Sequence, residues 1–337
     1  MTPAIFGLSG LTLTEDERAF FRDADPAGYV LFARNAQSRE QVRALTDELR
    51  SLQGRERLFV CVDQEGGRVA RMKPPVWPKY PAGEVFDRLY DLAPASAIEA
   101  ARINAQALGL DLAEAGITVD LHPMLDVRQP GAHDIVGDRA LGSDPMRVAA
   151  LGRAFLDGFA RAGIAGCIKH MPGHGRALAD SHKELPTVTA SAQELELDLA
   201  PFRALASAPI GMTAHVRYTA WDAENPGTIS PFVVGEVIRK HIGFDGLLMS
   251  DDLDMEALSG SVPQRAAGAI AAGCDLALNC WAKMDDMIGI AGLLPALDAR
   301  GAARLERALA SLGEVCADAD HASLIAKRDA LLALQAA

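Results

Sequence analysis

The stretch RLFVCVDQ, residues 57–64, is a short run of apolar residues that ends abruptly in an aspartate and a glutamine. A continuous apolar run, unlike one that alternates with polar residues, is typical of a parallel strand covered on both faces. Seven further runs of this kind therefore predict a parallel sheet. Together the eight are AIFGL (4–8), GYVLFARN (28–35), RLFVCVDQ (57–64), ITVDLHPML (117–125), IAGCIKHM (164–171), PIGMTAHV (209–216), FDGLLMSDD (244–252) and CDLALNCW (274–281).

The segments between most of these runs have the pattern of amphipathic helices. In SREQVRALTDELRSLQ (38–53) the apolar residues share one face, and Ser38 with Gln41 predicts a capping box at its start. Two more helices are predicted to end at Gly116 and Gly163, because glycine commonly follows the last helical residue. These two helices cover 94–116 and 144–163, and later helices are predicted over 191–206, 232–241, 262–272 and 300–316.

Eight strands with helices between them predict an α/β protein with a (β/α)8 TIM-type barrel. The length of 337 residues suits one such barrel, which typically takes about 250 residues plus insertions. No linker, charge block or shift in composition divides the chain, so we expect a single barrel domain over residues 1–337. An open, doubly wound sheet is the alternative.

Composition excludes several classes of partner. The chain has 33 basic and 45 acidic residues, a net charge of −12, and no clustered Lys/Arg of the kind that nucleic-acid binding needs. No stretch approaches the roughly 18 apolar residues of a membrane-spanning helix. The start MTPAIFGLSG lacks the basic region of a signal peptide, so we expect a cytoplasmic location. The five scattered cysteines predict reduced thiols and no disulfide framework.

Chemically reactive residues gather where the apolar runs end. Asp63 follows the third run, Lys169 and His170 the fifth, His215 the sixth, and Asp251 the seventh. In a barrel the carboxyl ends of the strands form one rim, where catalytic residues from several strands meet. Asp251 follows the apolar GLLMS and is expected at the floor of a pocket; the next carboxylate, by strand alternation, is expected on the opposite side.

The loop KHMPGHGRALADSH (169–182) carries three of the eight histidines in the chain. Asp180 and His182, two positions apart, have the pattern of a carboxylate that orients an imidazole for proton transfer. Histidine and aspartate are also zinc ligands, although none of the compact zinc signatures is present. Spacing favours acid/base chemistry, while a metal site and a plain solvated loop stay open.

Five motifs together resemble family 3 glycoside hydrolases, and within them the bacterial NagZ-type β-N-acetylglucosaminidases. They occur in family order from about residue 3 to 281, and the combination KH-x-PGHG followed by D-x-H is the most specific feature. The motifs are VDQEGGRVAR (62–71), GDRALGSDP (137–145), CIKHMPGHG (167–175), ADSHKELP (179–186) and GLLMSDDLDM (246–255).

The resemblance implies a retaining hydrolase that forms a covalent glycosyl-enzyme and needs no metal or cofactor. Asp251 matches the nucleophile, His182 the acid/base and Asp180 the residue that supports it. The positions that match sugar-binding residues are Asp63, Arg71, Arg139, Lys169 and His170.

The implied substrate is a small molecule, an N-acetylglucosaminyl muropeptide from cell-wall recycling, and the implied enzyme is a cytoplasmic monomer. A glycoside phosphorylase on the same scaffold is one alternative. A zinc hydrolase that uses His170, His174 and His182 is a second, and a non-catalytic sugar sensor is a third.

Overall fold

The part of the chain that the structure describes contains ten strands, and the eight that fall in the apolar runs close into a barrel. They are β1 (Thr2–Gly7), β2 (Pro26–Leu31), β3 (Phe59–Val62), β4 (Val119–Asp120), β5 (Ala165–Met171), β6 (Thr187–Val188), β7 (Ile210–Thr213), β8 (Arg217–Tyr218), β9 (Leu247–Asp252) and β10 (Leu276–Asn279). The closed order is β1-β10-β9-β7-β5-β4-β3-β2, and the pairs are parallel. The predicted TIM-type barrel is therefore confirmed. This computed structural model describes residues 1–316 and 320–336; the single-domain prediction over 1–337 extends beyond that range and stays a prediction.

Helices surround the barrel on its outer side. They are α1 (Glu15–Ala24), α2 (Arg39–Gln53), α3 (Gly83–Leu92), α4 (Pro94–Glu114), α5 (Pro145–Arg161), α6 (Ala192–Ala204), α7 (Val262–Ala272), α8 (Met284–Leu293), α9 (Ala299–Ala310) and α10 (His321–Leu332), with a helix of π type at Val233–Ile242. Each predicted helix is present, although the last ends at Ala310. In the part of the chain that the structure describes, no helix is long and apolar enough to cross a membrane.

The predicted capping box of α2 is half formed. Ser38 accepts a hydrogen bond from the Gln41 amide at 3.2 Å, as expected. The Gln41 side-chain oxygen, however, accepts from the Gln37 amide at 3.0 Å and not from Ser38. Ser38 is therefore the N-cap, as predicted, and only the reciprocal bond of the box goes to the residue before it.

Several strands are shorter than their apolar runs. The run 28–35 stops being a strand at Leu31, because the Phe32 amide donates to the Asn35 side chain at 2.8 Å and turns the chain. In the run 117–125 only Val119–Asp120 is a regular strand, since Pro123 has no N–H to continue the ladder. In both runs the strand ends earlier in the sequence than predicted, so the residues after it belong to the loops at the rim.

Both faces of the barrel strands are buried, which explains why the runs are continuously apolar. One set of alternate residues fills the barrel, among them Ile5, Cys61 and Met249, and the other set packs under the helices. Beyond the rim, β6 pairs with β8 and joins the loops that follow β5 and β7. The cysteines are free thiols. Cys316 is exposed, and the four others are buried: Cys61, Cys167, Cys274 and Cys280.

The closing seam between β1 and β10 leaves no room for a side chain at Gly7. A Cβ there would collide with the carbonyl group of Cys280, whose oxygen also accepts from Arg34. Gly7 is therefore required for the first and last strands to meet. It lies one residue beyond the paired Phe6 and Asn279.

We expect Gly7→Ala to lower the free energy of unfolding by about 1–3 kcal/mol, because overpacking forces the seam apart. Urea titration followed by circular dichroism measures this. The matched control is Gly10→Ala, where the nearest atom to a new Cβ, the Thr12 carbonyl oxygen, lies 4.0 Å away. Equal stability of the two variants would contradict a strict contact at the seam.

Candidate active site

A cavity of about 390 Å³ opens at the carboxyl ends of the barrel strands. Its walls come from elements that are far apart in sequence, as expected for the catalytic face of this fold. Seven of the residues singled out by sequence line it: Asp63, Arg71, Arg139, Lys169, His170, His182 and Asp251. The eighth, Asp180, contacts the cavity through His182.

Lys169 is the most buried cation at the cavity, with 2% of its side chain exposed. Its Nζ lies 2.9 Å from Asp63 Oδ1 and 2.7 Å from Glu65 Oε1. Burial alone would lower the pKa of Lys169, but the two carboxylates outweigh burial and raise it. The amine is thus a fixed cation that joins β5 to the end of β3.

Glu65 is a member of the site that sequence reasoning missed. Its two oxygens accept from Nε and Nη2 of Arg139 at 2.8 Å each, while Lys169 approaches the same carboxylate. Burial would raise the pKa of Glu65, yet Arg139 and Lys169 hold it well below its usual range. A glutamate just past a strand end gives no sequence signal for this buried role; only its position beside Asp63 hints at it.

Asp63 lies between two cations. Oδ1 accepts from Lys169, and Oδ2 accepts from Arg71 Nη2 at 3.1 Å. The Arg71 guanidinium also stacks 4.9 Å from the ring centre of Phe32, which lines the cavity. Burial would raise the pKa of Asp63, but the charges of Lys169 and Arg71 lower it. The carboxylate therefore stays ionised and able to accept hydrogen bonds from hydroxyl groups.

Asp251 and Asp252, adjacent at the end of β9, have pKa values that are shifted in opposite directions. Burial would raise the pKa of Asp251, but His170, His215 and the Asp252 amide, which donates at 2.8 Å, hold it below its usual range. By contrast, burial and then the Asp254 carboxylate raise the pKa of Asp252 well above its usual range. Both residues reach the cavity, contrary to the expectation that only Asp251 would. Asp251 is the one that is ionised.

The Asp180–His182 pair forms at the rim. Asp180 Oδ1 lies 2.8 Å from His182 Nδ1 and accepts from the His182 amide at 3.0 Å. Burial would raise the pKa of Asp180, but these two hydrogen bonds lower it. The imidazole is 60% exposed, whereas Asp180 is 14% exposed. An ionised carboxylate on Nδ1 leaves Nε2 free to exchange a proton with a ligand.

His174, in the middle of the same loop, is buried. Its Nε2 lies 3.3 Å from Ser181 Oγ, and burial lowers its pKa to about 4. The following residue, Gly175, passes so close to Val127 that a Cβ would collide with the carbonyl oxygen of Val127. The first half of the loop is therefore packed against the barrel.

The histidines do not assemble into a metal site. His170 Nδ1 is occupied by Asp126 at 2.7 Å and His182 Nδ1 by Asp180. Over residues 1–316 and 320–336, no group of three or more His, Cys, Asp or Glu is arranged to hold a metal ion. The arrangement instead offers one ionised carboxylate at the floor and one oriented imidazole at the rim.

We expect Glu65→Gln to lower the free energy of unfolding by about 3–5 kcal/mol, since it leaves buried Arg139 without its carboxylate and Lys169 with Asp63 alone. The folded-state pKa of Glu65 is depressed, so its contribution is present above the ordinary value of 4.5 and is lost as pH falls below it. Urea titrations at several pH values should therefore show the difference from the parent narrowing towards low pH.

The control for this variant is Glu84→Gln, which removes a surface pair with Arg88 at 3.1 Å. Such pairs contribute less than about 1 kcal/mol. If Glu65→Gln and Glu84→Gln lowered the free energy of unfolding by the same small amount, the buried network would not stabilise the protein as we expect.

Comparison with known proteins agrees with this geometry. The model of the glycosyl hydrolase family 3 N terminal domain matches residues 7–310. The β-hexosaminidase of Alkalilimnicola ehrlichii is 41% identical over 283 residues, 82% of this chain and 80% of the relative. That of Bordetella avium is 38% identical over 283 residues, again covering 82% and 80%. NagZ from Neisseria gonorrhoeae, in complex with N-trifluoroacetyl-D-glucosamine, superposes with a TM-score of 0.89 at 33% identity, covering 100% of this chain and 98% of that one. The chain belongs to glycosyl hydrolase family 3.

Proposed function

We propose that this glycoside hydrolase is a retaining exo-β-N-acetylglucosaminidase, which removes terminal non-reducing N-acetylglucosamine. The observation that carries the proposal is the pairing of an ionised Asp251 at the cavity floor with an imidazole that Asp180 orients at the rim. The β-hexosaminidases among its relatives support the substrate class.

The reaction follows from two groups that act in turn. The Asp251 carboxylate attacks the anomeric carbon while protonated His182 donates its proton to the departing glycosidic oxygen, and a covalent glycosyl ester forms. Neutral His182 then takes a proton from water, which attacks the same carbon and releases Asp251. Asp180 stabilises the imidazolium that exists before the first step and again after the second.

The floor of the cavity supplies the groups that hold a sugar. Ionised Asp63 accepts hydrogen bonds from hydroxyl groups, Lys169 donates them, and the second ring nitrogen of His170 is left to bind a polar group of the sugar. Arg71 and Arg139, both fixed by carboxylates, provide further donors for hydroxyl and N-acetyl oxygens. Because these groups are already paired with one another, they are held in place before the sugar arrives.

The substrate that we propose is a muropeptide, in which N-acetylglucosamine is joined to 1,6-anhydro-N-acetylmuramic acid with or without peptide. This makes the protein an enzyme of peptidoglycan recycling that acts in the cytoplasm as a monomer. Its structural similarity to a NagZ protein over 100% of the chain supports this choice. We further propose that the exposed segment around His182 closes over the bound sugar and opens for product release.

Reaction with a 5-fluoro-N-acetylglucosaminyl fluoride should trap a covalent adduct on Asp251. The ring fluorine slows both steps by destabilising the positive charge of the transition state, and the good leaving group lets the first step proceed. Mass mapping of proteolytic peptides locates the label. Asp251→Ala should lose the label and at least about 10³-fold in turnover, whereas Asp252→Asn should still be labelled at 251. A label on any other residue would refute this nucleophile.

The loss of kcat/KM in His182→Ala should depend on the leaving group of the substrate. For a dinitrophenyl glycoside, which needs little protonation, kcat/KM should fall less than about 10-fold, while for a disaccharide it should fall by roughly 10²–10⁴-fold. The parameter kcat/KM is chosen because it reports the first chemical step. Lys183→Ala, an exposed neighbour on the same loop, is the control. An equal loss on both substrates would show that His182 is not the acid.

Phosphorolysis is a second candidate, and the nature of the acid/base group favours it. A neutral imidazole, unlike a carboxylate, does not repel an incoming phosphate, and His182 is exposed enough to meet one. Product analysis with and without inorganic phosphate separates the two reactions. Free N-acetylglucosamine in both reactions supports hydrolysis, and N-acetylglucosamine 1-phosphate as the sole product with phosphate supports phosphorolysis.

A further inference from the structure

Asp126 is a fully buried carboxylate that the sequence analysis did not single out, and it lies in the cavity wall beyond β4. Its Oδ2 lies 2.7 Å from His170 Nδ1. Its Oδ1 accepts from the His174 amide at 2.6 Å and from the His170 amide at 3.3 Å. One side chain thus contacts both a sugar-facing histidine and the start of the loop that carries His182.

The contact with His170 determines where that imidazole carries its proton. Burial would raise the pKa of Asp126, but His170 and then His174 lower it, so the carboxylate is ionised and can only accept. His170 Nδ1 must therefore be the donor, which leaves Nε2 as the nitrogen that can face the cavity. This assignment holds whether His170 is neutral or cationic.

His170 in turn acts on the nucleophile. Among the groups that counteract the effect of burial on the Asp251 carboxyl, His170 is the strongest. The order Asp126, His170, Asp251 therefore places a buried anion behind the histidine that keeps Asp251 ionised.

The contact with the His174 amide holds the beginning of the loop. Around it, Tyr218 donates to the Gly173 carbonyl at 2.8 Å, and Gly175 packs against Val127, the residue next to Asp126. These contacts fix residues 173–175 to the barrel. The Asp180–His182 pair therefore extends from an anchored root.

We propose that Asp126 is a positioning residue that sets the tautomer of His170 and anchors the root of the acid/base loop, so that one carboxylate aligns both halves of the catalytic pair. Its effect on catalysis rests on the proposed function, whereas its effect on the His170 tautomer does not. The titratable and charged groups that face Asp126 are His170, His174, Arg139, Asp198 and Tyr218, and those that face Asp251 are His170, His215, His182 and Asp252.

The first test needs no substrate. Nitrogen-15 spectra of the histidine-labelled protein, with His170 assigned through His170→Gln, should show a protonated Nδ1 throughout the pH range. In Asp126→Asn the carboxamide NH2 group can donate to Nδ1, so the neutral ring should switch to a protonated Nε2. An Nε2-protonated neutral His170 in the parent protein overturns the proposal even if the variant does not fold.

The second test is the pH profile of kcat/KM on a dinitrophenyl N-acetylglucosaminide. Activity requires ionised Asp251, so it is lost as pH falls through the pKa of that carboxyl. In Asp126→Asn the position of this acid limb should change by roughly 1 pH unit, because the His170 ring that acts on Asp251 changes its tautomer, and kcat should fall about 10²-fold with a smaller change in KM. In a His170→Gln background, Asp126→Asn should shift the limb no further, because its effect passes through His170.

Asp275→Asn is the control, since Asp275 is also a buried carboxylate that accepts from a backbone amide, that of Leu248 at 2.8 Å, but it does not line the cavity. It should lower the unfolding temperature and leave the acid limb in place. If Asp126→Asn behaved like this control, Asp126 would be merely structural. If the parent protein hydrolysed no N-acetylglucosaminide, the proposed function would fail while the tautomer measurement still decided the role of Asp126.

Discussion

The site depends on the burial of the Lys169 ammonium between Asp63 and Glu65. A cation with 2% of its side chain exposed is tolerated only if carboxylates with good geometry surround it. The carboxylates come from the segment after β3 and the lysine from β5, with β4 between them in the barrel. Barrel closure and charge pairing therefore require each other, and the sugar-binding floor results from satisfying both.

The two groups to which we assign catalysis, Asp251 and His182, lie in contrasting environments for a physical reason. Asp251 must stay ionised while partly removed from water, and it does so because imidazoles and a backbone amide surround it. His182 must exchange protons with a ligand and with water, and it lies 60% exposed on a loop. The anchored floor and the accessible rim thus match a nucleophile that must not move and a proton carrier that must reach two oxygens.

Sequence predicted the barrel because strands buried on both faces leave unbroken apolar runs, as in RLFVCVDQ, and it predicted Asp251 because a carboxylate directly after such a run lies at the rim. It did not predict Glu65 or Asp126. Both are carboxylates in loops whose value comes from partners 74 and 44 positions away, Arg139 and His170, and no local pattern encodes such contacts. The strand boundaries were also missed where a turn, as at Phe32, ends a strand inside its apolar run.

An imidazole suits this site better than a second carboxylic acid because of the charges around it. Asp63, Glu65, Asp126 and Asp251 are already ionised, and a further carboxyl among them would be held protonated and would serve poorly as a base. His182 contributes to keeping Asp251 ionised. In the covalent step that we propose, this imidazole gives its proton to the leaving oxygen. The same step therefore leaves a neutral ring that can accept a proton from water, so that one residue serves as the acid and then as the base.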